Sequence, residues 1–402
     1  MLTDDAISLQ GSSNWRSNLE AMDVPAHIST DSTLSTALRM LIEQGRIDED
    51  IGNRMFSHDS LFALTALANM VKQARFGTNV YFNDNLHVNT TNICVLACRF
   101  CAFRKGPRHS DAYELSVEEY IHRIEPYSEF INEVHSVGGL HPSWTIEHYE
   151  ELYRETKSRF PLIHIKSLTA VELKHIAKRS NLSIHESLRR LIAAGLGSLP
   201  GGGAEILVDS VRDRICHGKE SSQEYLTIHQ AAHELGLPTN CTMLFGTVET
   251  TAHRIQHMMK LRNQQDISGG FQCFVPYPYL PEFSRLPDAQ LASVNEILRV
   301  IAISRLMLDN IPHIKAYRMN IGDDVGCLAL QCGADDIDGT VGNEEIMHEA
   351  GSTTPLDFNT EDLAGLIYQS NSIPVKRNSI YSEFALIPPP IKNDDISLPI
   401  AV

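Results

Sequence analysis

The sequence predicts an α/β fold, a (β/α)8 barrel of the TIM type with an N-terminal helical extension and an irregular C-terminal tail. Three observations favour it. The 402 residues suffice for such a barrel in one domain. Eight apolar or β-rich runs alternate with helix-like stretches. Unusual glycine and cysteine segments follow several of these runs, and barrel enzymes place their active groups where strands end. An open doubly wound sheet is the alternative.

We expect residues 1–80 to form the helical extension. Residues 1–30 have frequent Ser, Asp and Asn and no apolar period, which predicts loosely ordered chain. Leu34, Leu38 and Leu41 then recur at helical spacing, and the helical pattern holds to about residue 75. The barrel is expected over residues 81–355. Residues 356–402 are expected to be a helix and a tail packed on the barrel, irregular from Pro388 on.

The barrel elements are predicted from hydrophobic pattern and end signals. Ser116 followed by Glu119 is a capping-box signature for a helix over 116–127, and further helices are predicted over 145–160 and 293–311. The eight predicted strands lie within 86–91, 131–139, 162–169, 195–201, 237–246, 270–277, 313–319 and 332–340.

Composition and charge exclude some function classes. A net charge of −16 repels nucleic acid and anionic membranes, so neither is expected as a partner. The N-terminus has no signal-peptide pattern, and no apolar run approaches the ~18 residues that span a bilayer. Eight cysteines are too sparse for a disulfide framework, which favours a reducing, cytoplasmic location.

Three of the cysteines, Cys94, Cys98 and Cys101, form a C-x3-C-x2-C pattern within eight residues. Cysteine thiolates bind zinc or iron–sulfur clusters. A structural zinc site needs four ligands, and no second cysteine pair exists, although a distant His could complete one. A chance grouping of core cysteines is the plainest alternative. Three thiolates can instead hold three irons of a 4Fe-4S cluster and leave the fourth iron open to a small molecule.

The cysteine pattern, with Phe100 before the last cysteine, resembles that of the radical S-adenosylmethionine (SAM) superfamily. The resemblance implies a 4Fe-4S cluster held by Cys94, Cys98 and Cys101, and SAM that chelates the open iron through its amino and carboxylate groups. It also implies an electron donor such as flavodoxin or ferredoxin. The cofactor carries the radical chemistry, and the protein supplies position and exclusion of water.

Three glycine loops fit the same resemblance. HSVGGLHP resembles the superfamily's second-strand motif, in which the backbone of Gly138 and Gly139 would hold the amino group of SAM. The superfamily often has Glu where this chain has Leu140. In LPGGGAEIL, Gly202 and Gly203 permit close approach to a ligand, and Glu205 would face ribose hydroxyls or an ammonium.

TMLFGTVET resembles the fifth-strand motif, in which the chain around Phe245 lies along the adenine of SAM. Glu249 could contribute there or cap the following helix. Ordinary strand-to-helix turns remain the alternative for all three loops.

A finer resemblance covers about residues 32–380. NTTNICVLACRFCAFR, EVHSVGGLHP and GADDIDGTVGNEEIMHEAG are similar to segments of the aminodeoxyfutalosine synthase family of menaquinone biosynthesis. The resemblance implies 3-[(1-carboxyvinyl)oxy]benzoate as the substrate and SAM as a co-substrate. Sister radical enzymes, the dehypoxanthine futalosine cyclase and the deazaflavin (FO) synthase components, are the alternative. A non-enzymatic metal-binding module is a third hypothesis.

A substrate with two carboxylates needs cationic partners in a dry pocket. Candidates at strand ends are Lys166, Lys315, Arg318, His141 and the inward-facing His135. Solvated lysines and structural histidines are the ordinary alternative.

Further polar candidates accompany these cations. Asp335, Asp336 and Asp338 are expected to orient them, to bind a hydroxyl or to cap a helix, and Thr169 and Glu172 to hydrogen-bond to the substrate or its neighbours. Leu280 stands where the family resemblance suggests His, which alters the polar contacts of the sixth loop.

Overall fold

The N-terminal part of the chain is helical. The computed structural model describes residues 8–389. It begins with α1 (Trp15–Glu20), α2 (Ala26–Ser29), α3 (Ser32–Gln44), α4 (Glu49–Phe56) and α5 (Leu61–Phe76). The expectation of loose chain over residues 1–30 is therefore wrong for α1 and α2. Their buried residues Leu19 and Ile28 join the core, and so few apolar contacts carry no readable period in the sequence.

Eleven strands follow within the described residues, and each of the eight predicted runs overlaps one of them. The strands are β1 (Asn79–Phe82), β2 (Asn85–His87), β3 (Glu133–Ser136), β4 (His164–Ser167), β5 (Leu196–Ser198), β6 (Thr239–Phe245), β7 (Phe271–Pro278), β8 (His313–Ala316), β9 (Asp336–Ile337), β10 (Ile373–Arg377) and β11 (Phe384–Leu386). The eight runs correspond to β2 through β9.

Helices separate these strands as expected for β/α units. They are α6 (Val117–Ile124), α7 (Ile146–Arg159), α8 (Ala170–Arg179), α9 (Ile184–Ala194), α10 (Asp209–Ile215), α11 (Ser222–Glu234), α12 (Thr251–Ser268), α13 (Val294–Met307), α14 (Arg318–Ile321), α15 (Asp323–Leu330), α16 (Ile346–Glu349) and α17 (Thr360–Gln369), with a 3-10 turn at Glu125–Tyr127. The predicted capping box at Ser116 and Glu119 is confirmed. In the described residues no helix has both the length and the apolar character needed to cross a bilayer.

The strands form two sheets that together make the barrel. One sheet has the order β2-β3-β4-β5, and the other has the order β11-β10-β1-β9-β8-β7-β6. Isolated parallel bridges join the sheets, Leu199 with Thr239 on one side and Asn85 with Thr340 on the other. Strands β2 to β9 thus follow one another around a (β/α)8 barrel in chain order, with single bridges rather than continuous ladders at its two seams. This order favours the barrel over an open doubly wound sheet.

The C-terminal segment contains two strands that the sequence analysis assigned to irregular tail. β10 pairs in parallel with β1, and β11 pairs antiparallel with β10. Pro374 and the polar residues of β10 do not have the pattern of a strand. The segment becomes a strand because it pairs with a distant strand, and β-propensity alone does not predict such pairing. Of the predicted irregular tail, residues 390–402 lie outside the described part of the chain. The segment sets Arg377 beneath the barrel, where it reaches Asp336.

Candidate functional site

A cavity of about 1350 Å³, including its open mouth, lies at the C-terminal ends of the barrel strands. It brings together most of the side chains that the sequence analysis singled out. Those that line it are Cys94, Cys98, Phe100, Cys101, His135, Gly138, Leu140, Lys166, Thr169, Glu172, Gly202, Gly203, Glu205, Lys315 and Asp338. We call this space the cavity, the end near the cysteines its mouth, and the end inside the barrel its floor.

The cysteine loop is closed at its base by backbone pairing. Ile93 and Lys105 form a parallel bridge, and the Cys94 amide donates to the Lys105 carbonyl at 3.1 Å. The Arg99 amide, between two of the cysteines, donates to the carbonyl of Ile215 at 2.8 Å. The loop is therefore fastened at its ends and in its middle. All three of its cysteines are free thiols and half-buried.

The chemistry of the three thiols fits an iron–sulfur cluster. Burial raises the pKa of Cys98 to about 12 and also raises that of Cys101, so a thiolate here requires a bound cation. Within residues 8–389 no three His, Cys, Asp or Glu side chains converge on one point as ligands of a single ion. A 4Fe-4S cube takes each thiolate on a different iron and does not need such convergence.

The first glycine loop is held against the chain that leads to the cysteines. A Cβ on Gly139 would lie 2.2 Å from the Ile93 carbonyl oxygen, so only glycine allows this approach. The Gly139 amide donates to Thr91 at 2.7 Å, and the Gly138 amide donates to the Glu172 carboxylate at 2.8 Å. Both amides of this loop therefore donate within the chain. The backbone carbonyls of the loop are the groups that can accept a hydrogen bond from a ligand ammonium group.

Glu172 connects that loop to the start of α8. Its carboxylate accepts from the Thr169 amide at 2.7 Å and from the Thr169 hydroxyl at 2.6 Å, as part of a capping box. Burial raises the pKa of Glu172 to about 7, although these donors oppose the shift. Thr169 and Glu172 thus cap a helix and line the cavity at once, whereas the sequence predicted only hydrogen bonds to the substrate or its neighbours for them.

The second glycine loop carries a buried ion pair beside the cysteines. Glu205 has a φ of 47°, and Gly203 just before it has a φ of 96°, a left-handed conformation that favours glycine. The Lys219 ammonium donates to the Glu205 carboxylate and lies 5.8 Å from the centre of the Phe100 ring. Despite its burial, Glu205 and Glu220 hold the pKa of Lys219 well above its usual value. The mouth thus has one carboxylate whose charge is already balanced.

Two buried ion pairs build the floor. Lys166 Nζ lies 2.6 Å from Glu133 Oε2, and Lys315 Nζ lies 2.8 Å from Asp336 Oδ1. Arg377 Nε donates to the other oxygen of Asp336 at 2.7 Å. Burial alone would raise the pKa of Glu133 and of Asp336, but the cations hold both well below their usual values. Both carboxylates therefore stay ionised inside the barrel.

Four predicted residues point away from the cavity and have partners of their own. His141 Nε2 lies 2.5 Å from Glu114 Oε2, with the His141 ring stacked on Trp144. The Phe245 ring is fully buried under Arg254.

The other two of these four belong to buried ion pairs. Arg318 Nε donates to Asp323 at 2.7 Å, and Asp335 pairs with Arg305 and His313. The sequence placed these four residues near strand ends but could not predict which way their side chains point. Side chains at strand ends alternate between the barrel interior and the surrounding helices.

Three further predicted positions lie close to the cavity without lining it. Asp336 lies behind Lys315, Gly139 packs on Ile93, and Leu280 is half-buried in the loop after β7. Glu249 accepts from the Gly246 and Thr247 amides and from Arg254, so its contacts are local to the start of α12.

Several lining residues were not recognised from the sequence. The most prominent are Lys219, His87, Glu133, Asn240, Thr242, Tyr277, Tyr317 and Glu344. A signal existed for two of them, because His87 in LHV and Glu133 in NEVHS alternate with buried apolar residues of short strands. Lys219 lies in an irregular loop, where no period indicates which way a side chain points.

Comparison with known proteins agrees with this geometry. Residues 88–261 match the family model of the radical SAM superfamily, and residues 268–390 match the model of the CofH/MqnC C-terminal region. The chain is 37% identical to an aminodeoxyfutalosine synthase of Thermus thermophilus, over 88% of this chain and 96% of that protein. It is 38% identical to the Streptomyces coelicolor protein of the same name, over 87% of this chain and 94% of that protein.

Other relatives differ in name but resemble the chain almost as closely. A cyclic dehypoxanthine futalosine synthase of Streptomyces coelicolor is 35% identical over 85% of this chain and 86% of that protein. The fold resembles the crystal structure of a methylornithine synthase with a TM-score of 0.67 at 17% identity, covering 84% of this chain and 96% of that one. The latter similarity concerns the fold alone.

Proposed function

The chain belongs to the radical SAM superfamily, whose enzymes use a 4Fe-4S cluster and SAM, and from that premise we propose that it is an aminodeoxyfutalosine synthase of menaquinone biosynthesis. In the proposed reaction the C5′–S bond of SAM breaks and C5′ bonds to the vinyl carbon of 3-[(1-carboxyvinyl)oxy]benzoate. The aryl group then migrates and a carboxyl group is lost as CO2 or bicarbonate, and this loss releases the electron that cleaved SAM, so no net oxidation or reduction occurs. The products are 6-amino-6-deoxyfutalosine and methionine.

The residues at the mouth have distinct tasks in this proposal. Bound there, the cluster and SAM supply the 5′-deoxyadenosyl radical. Cys94, Cys98 and Cys101 hold the cluster by one thiolate each. The carbonyls of the Gly138 loop accept from the SAM ammonium group, while the loop amides donate to Glu172 and Thr91 and hold the loop in place. Each of these tasks is binding or orientation, which is what a cofactor-driven reaction asks of the protein.

The second glycine loop and Phe245 complete the proposed SAM site. Glu205 faces the ribose hydroxyls from a position fixed by Lys219 and by the turn at Gly202 and Gly203. The backbone around Phe245 lies along the adenine, while the Phe245 side chain packs into the core.

One observation carries the proposal. A single cavity joins three free thiols at its mouth to paired lysines and two histidines at its floor, in a chain similar along most of its length to two aminodeoxyfutalosine synthases. A dicarboxylate with an aryl ring requires apolar walls and polar groups at a fixed depth. Leu96, Val137 and Val275 supply apolar wall between the two ends.

A second candidate is a sister radical enzyme. The comparable identity to a cyclic dehypoxanthine futalosine synthase supports it. Such an enzyme would abstract hydrogen from its own substrate rather than add the radical to it. Deuterium transfer from a labelled substrate into 5′-deoxyadenosine would identify that chemistry.

The deciding experiment supplies the anaerobically reconstituted protein with SAM, a reductant and 3-[(1-carboxyvinyl)oxy]benzoate. We expect an adenosine-linked adduct and methionine in equal amounts, measured by liquid chromatography and mass spectrometry. Cleavage of SAM to free 5′-deoxyadenosine without adduct would contradict the substrate assignment. Iron and sulfide counts with an EPR spectrum, recorded with and without SAM, test the cluster separately.

We further infer a flavodoxin or ferredoxin as the electron donor. Arg99 is exposed within the cysteine loop, and its guanidinium donates to the backbone carbonyls of two other exposed basic residues, Arg214 in α10 and Arg285 in the loop after β7, so three basic residues lie near the cysteine loop. Basic surface of this kind attracts acidic partners at low ionic strength. We infer a reducing, cytoplasmic environment for the enzyme, which the free thiols support.

A further inference from the structure

Two neighbouring histidines with tilted rings occupy the floor of the cavity. His87 on β2 and His135 on β3 are direct neighbours in the parallel register, with ring centroids 4.3 Å apart and the ring planes inclined by 34°. Both rings line the cavity. The next register partner, on β4, is Lys166. Three adjacent strands therefore each place one titratable group at the same height in the barrel.

His87 is buried but has no hydrogen-bond partner. Its side chain belongs to a residue that is 3% exposed, and neither ring nitrogen contacts a donor or acceptor among residues 8–389. Buried polar groups in folded proteins are nearly always hydrogen-bonded. A ring that faces a cavity and has two unused nitrogens indicates that a ligand supplies the missing partner.

The lysines of the floor are not free cations. Glu133 balances Lys166, and Asp336 is shared by Lys315 and Arg377, which leaves one positive charge in that group.

The remaining charged groups that face the histidines are acidic. Asp338 and Glu344 also line the cavity, and Glu344 lies 3.0 Å from His348. The lining therefore carries no net positive charge while His87 and His135 are neutral, and a bound carboxylate would be left uncompensated.

We propose that His87 binds a carboxylate of the aryl substrate through an imidazole N–H, that His135 holds the ring of His87 in place, and that the pair takes up one proton when the anion binds. Only the identity of the ligand rests on the proposed function. Burial, with the neighbouring His87, lowers the pKa of His135 well below its usual value, which agrees with a neutral His135 in the empty cavity. A carboxylate in hydrogen-bond contact reverses that preference, because it stabilises the protonated ring. The pair thereby selects anions over neutral aromatic ligands.

Binding measurements on reconstituted protein with SAM and without reductant test the proposal, since no turnover then occurs. The probes are 3-[(1-carboxyvinyl)oxy]benzoate, benzoate and the uncharged benzamide, studied by calorimetry between about pH 6 and pH 8.5. We expect uptake of about one proton per bound ligand molecule, obtained by comparing two buffers of different ionisation enthalpy. The affinity should fall up to about tenfold for each unit by which the pH rises. Benzamide should bind without this dependence.

Variants separate a binding role from a structural one. His87→Phe keeps an aromatic ring against His135 and should weaken carboxylate binding about tenfold or more and remove its pH dependence. His87→Asn retains an amide donor and should recover part of the affinity. In the adduct assay we expect a raised KM with kcat largely kept at saturating substrate.

The matched control is His148→Phe. His148 is also a histidine with an unpartnered buried nitrogen, but it packs on Trp144 outside the cavity lining. The His148→Phe variant should leave carboxylate binding and the pH dependence of that binding unchanged. Wild-type-like carboxylate affinity in His87→Phe, or an unaltered pH profile, would overturn the proposal. Carboxylate binding that depends on His87 in a protein that forms no adduct would instead refute only the proposed reaction.

Discussion

The mouth and the floor of the cavity are built in opposite ways. The mouth consists of loops whose key residues lie close together in sequence, such as the three cysteines between residues 94 and 101. The floor consists of side chains from separate strands that meet only through register, such as Lys166 with Glu133 and Lys315 with Asp336. The mouth can therefore change without unfolding the barrel, whereas the floor is part of the barrel's own stability.

Removal of one cluster ligand should break the mouth most completely. Cys98→Ala leaves two thiolates on the loop, and we expect iron and sulfide content and adduct formation to fall to background. The barrel should stay folded, because the loop is fastened by backbone bonds at Ile93, Lys105 and Arg99. Iron and sulfide analysis, product assay and thermal unfolding by circular dichroism measure these outcomes.

A half-buried cysteine outside the cavity serves as the control for that variant. Cys327→Ala should keep the full cluster and full activity. If Cys98→Ala instead unfolds the chain, the cysteines act as a structural staple and the division between mouth and floor is wrong.

Breaking one floor pair should have the next largest effect, and on stability. Lys166→Met leaves Glu133 buried without a counter-ion, which should cost about 3–5 kcal/mol of unfolding free energy. The double variant Lys166→Met/Glu133→Gln should recover most of the loss, since no buried charge remains. Urea unfolding followed by circular dichroism measures both.

A surface pair gives the matched comparison. Lys174 Nζ lies 2.6 Å from Glu224 Oε1, but both side chains are more than 40% exposed. Lys174→Met should cost about 0–1 kcal/mol. Equal losses of unfolding free energy in Lys166→Met and Lys174→Met would show that burial does not make the floor pair more important for stability than the surface pair.

Acid should weaken the floor before the mouth. The pKa of Glu133 lies well below its usual value near 4.5 because Lys166 outweighs the effect of burial. A carboxylate with a depressed pKa in the folded state contributes stability above its unfolded pKa, and that stability is lost as pH falls. We expect the contribution of this group to the unfolding free energy to decline below about pH 5, by about 1 kcal/mol at pH 4 and about 2 kcal/mol at pH 3. Lys166→Met/Glu133→Gln should decline less, in urea unfolding at pH 7 and pH 4.

Two helix N-caps provide the smallest and sharpest test. Thr169 caps α8 inside the cavity, and Ser183 caps α9 outside it. Thr169→Val and Ser183→Ala should each cost about 1 kcal/mol of stability. Only Thr169→Val should also raise the KM for SAM, because it loosens Glu172 and with it the Gly138 loop. Equal effects on KM would contradict a role for Thr169 beyond capping.

The same contrast between mouth and floor explains where prediction from sequence succeeded. The eight barrel strands, the cysteine loop and the glycine loops were found because each is marked by local pattern or by residue spacing. His141 and Arg318 were predicted for the cavity but point elsewhere, since proximity to a strand end does not decide which side of the barrel a side chain faces. Lys219 was missed because it lies in an irregular loop without a period, and His87 was missed although it alternates with buried apolar neighbours.

The sequence by itself determined the alternation of strands and helices and the three closely spaced thiols, because both depend on residues near one another in the chain. Only the tertiary structure decided that β10 pairs with β1, that Lys166 is balanced by Glu133, and that the ring of His87 lies against that of His135. These contacts depend on strand register and barrel closure, and a shift of one residue would turn each side chain to the opposite face.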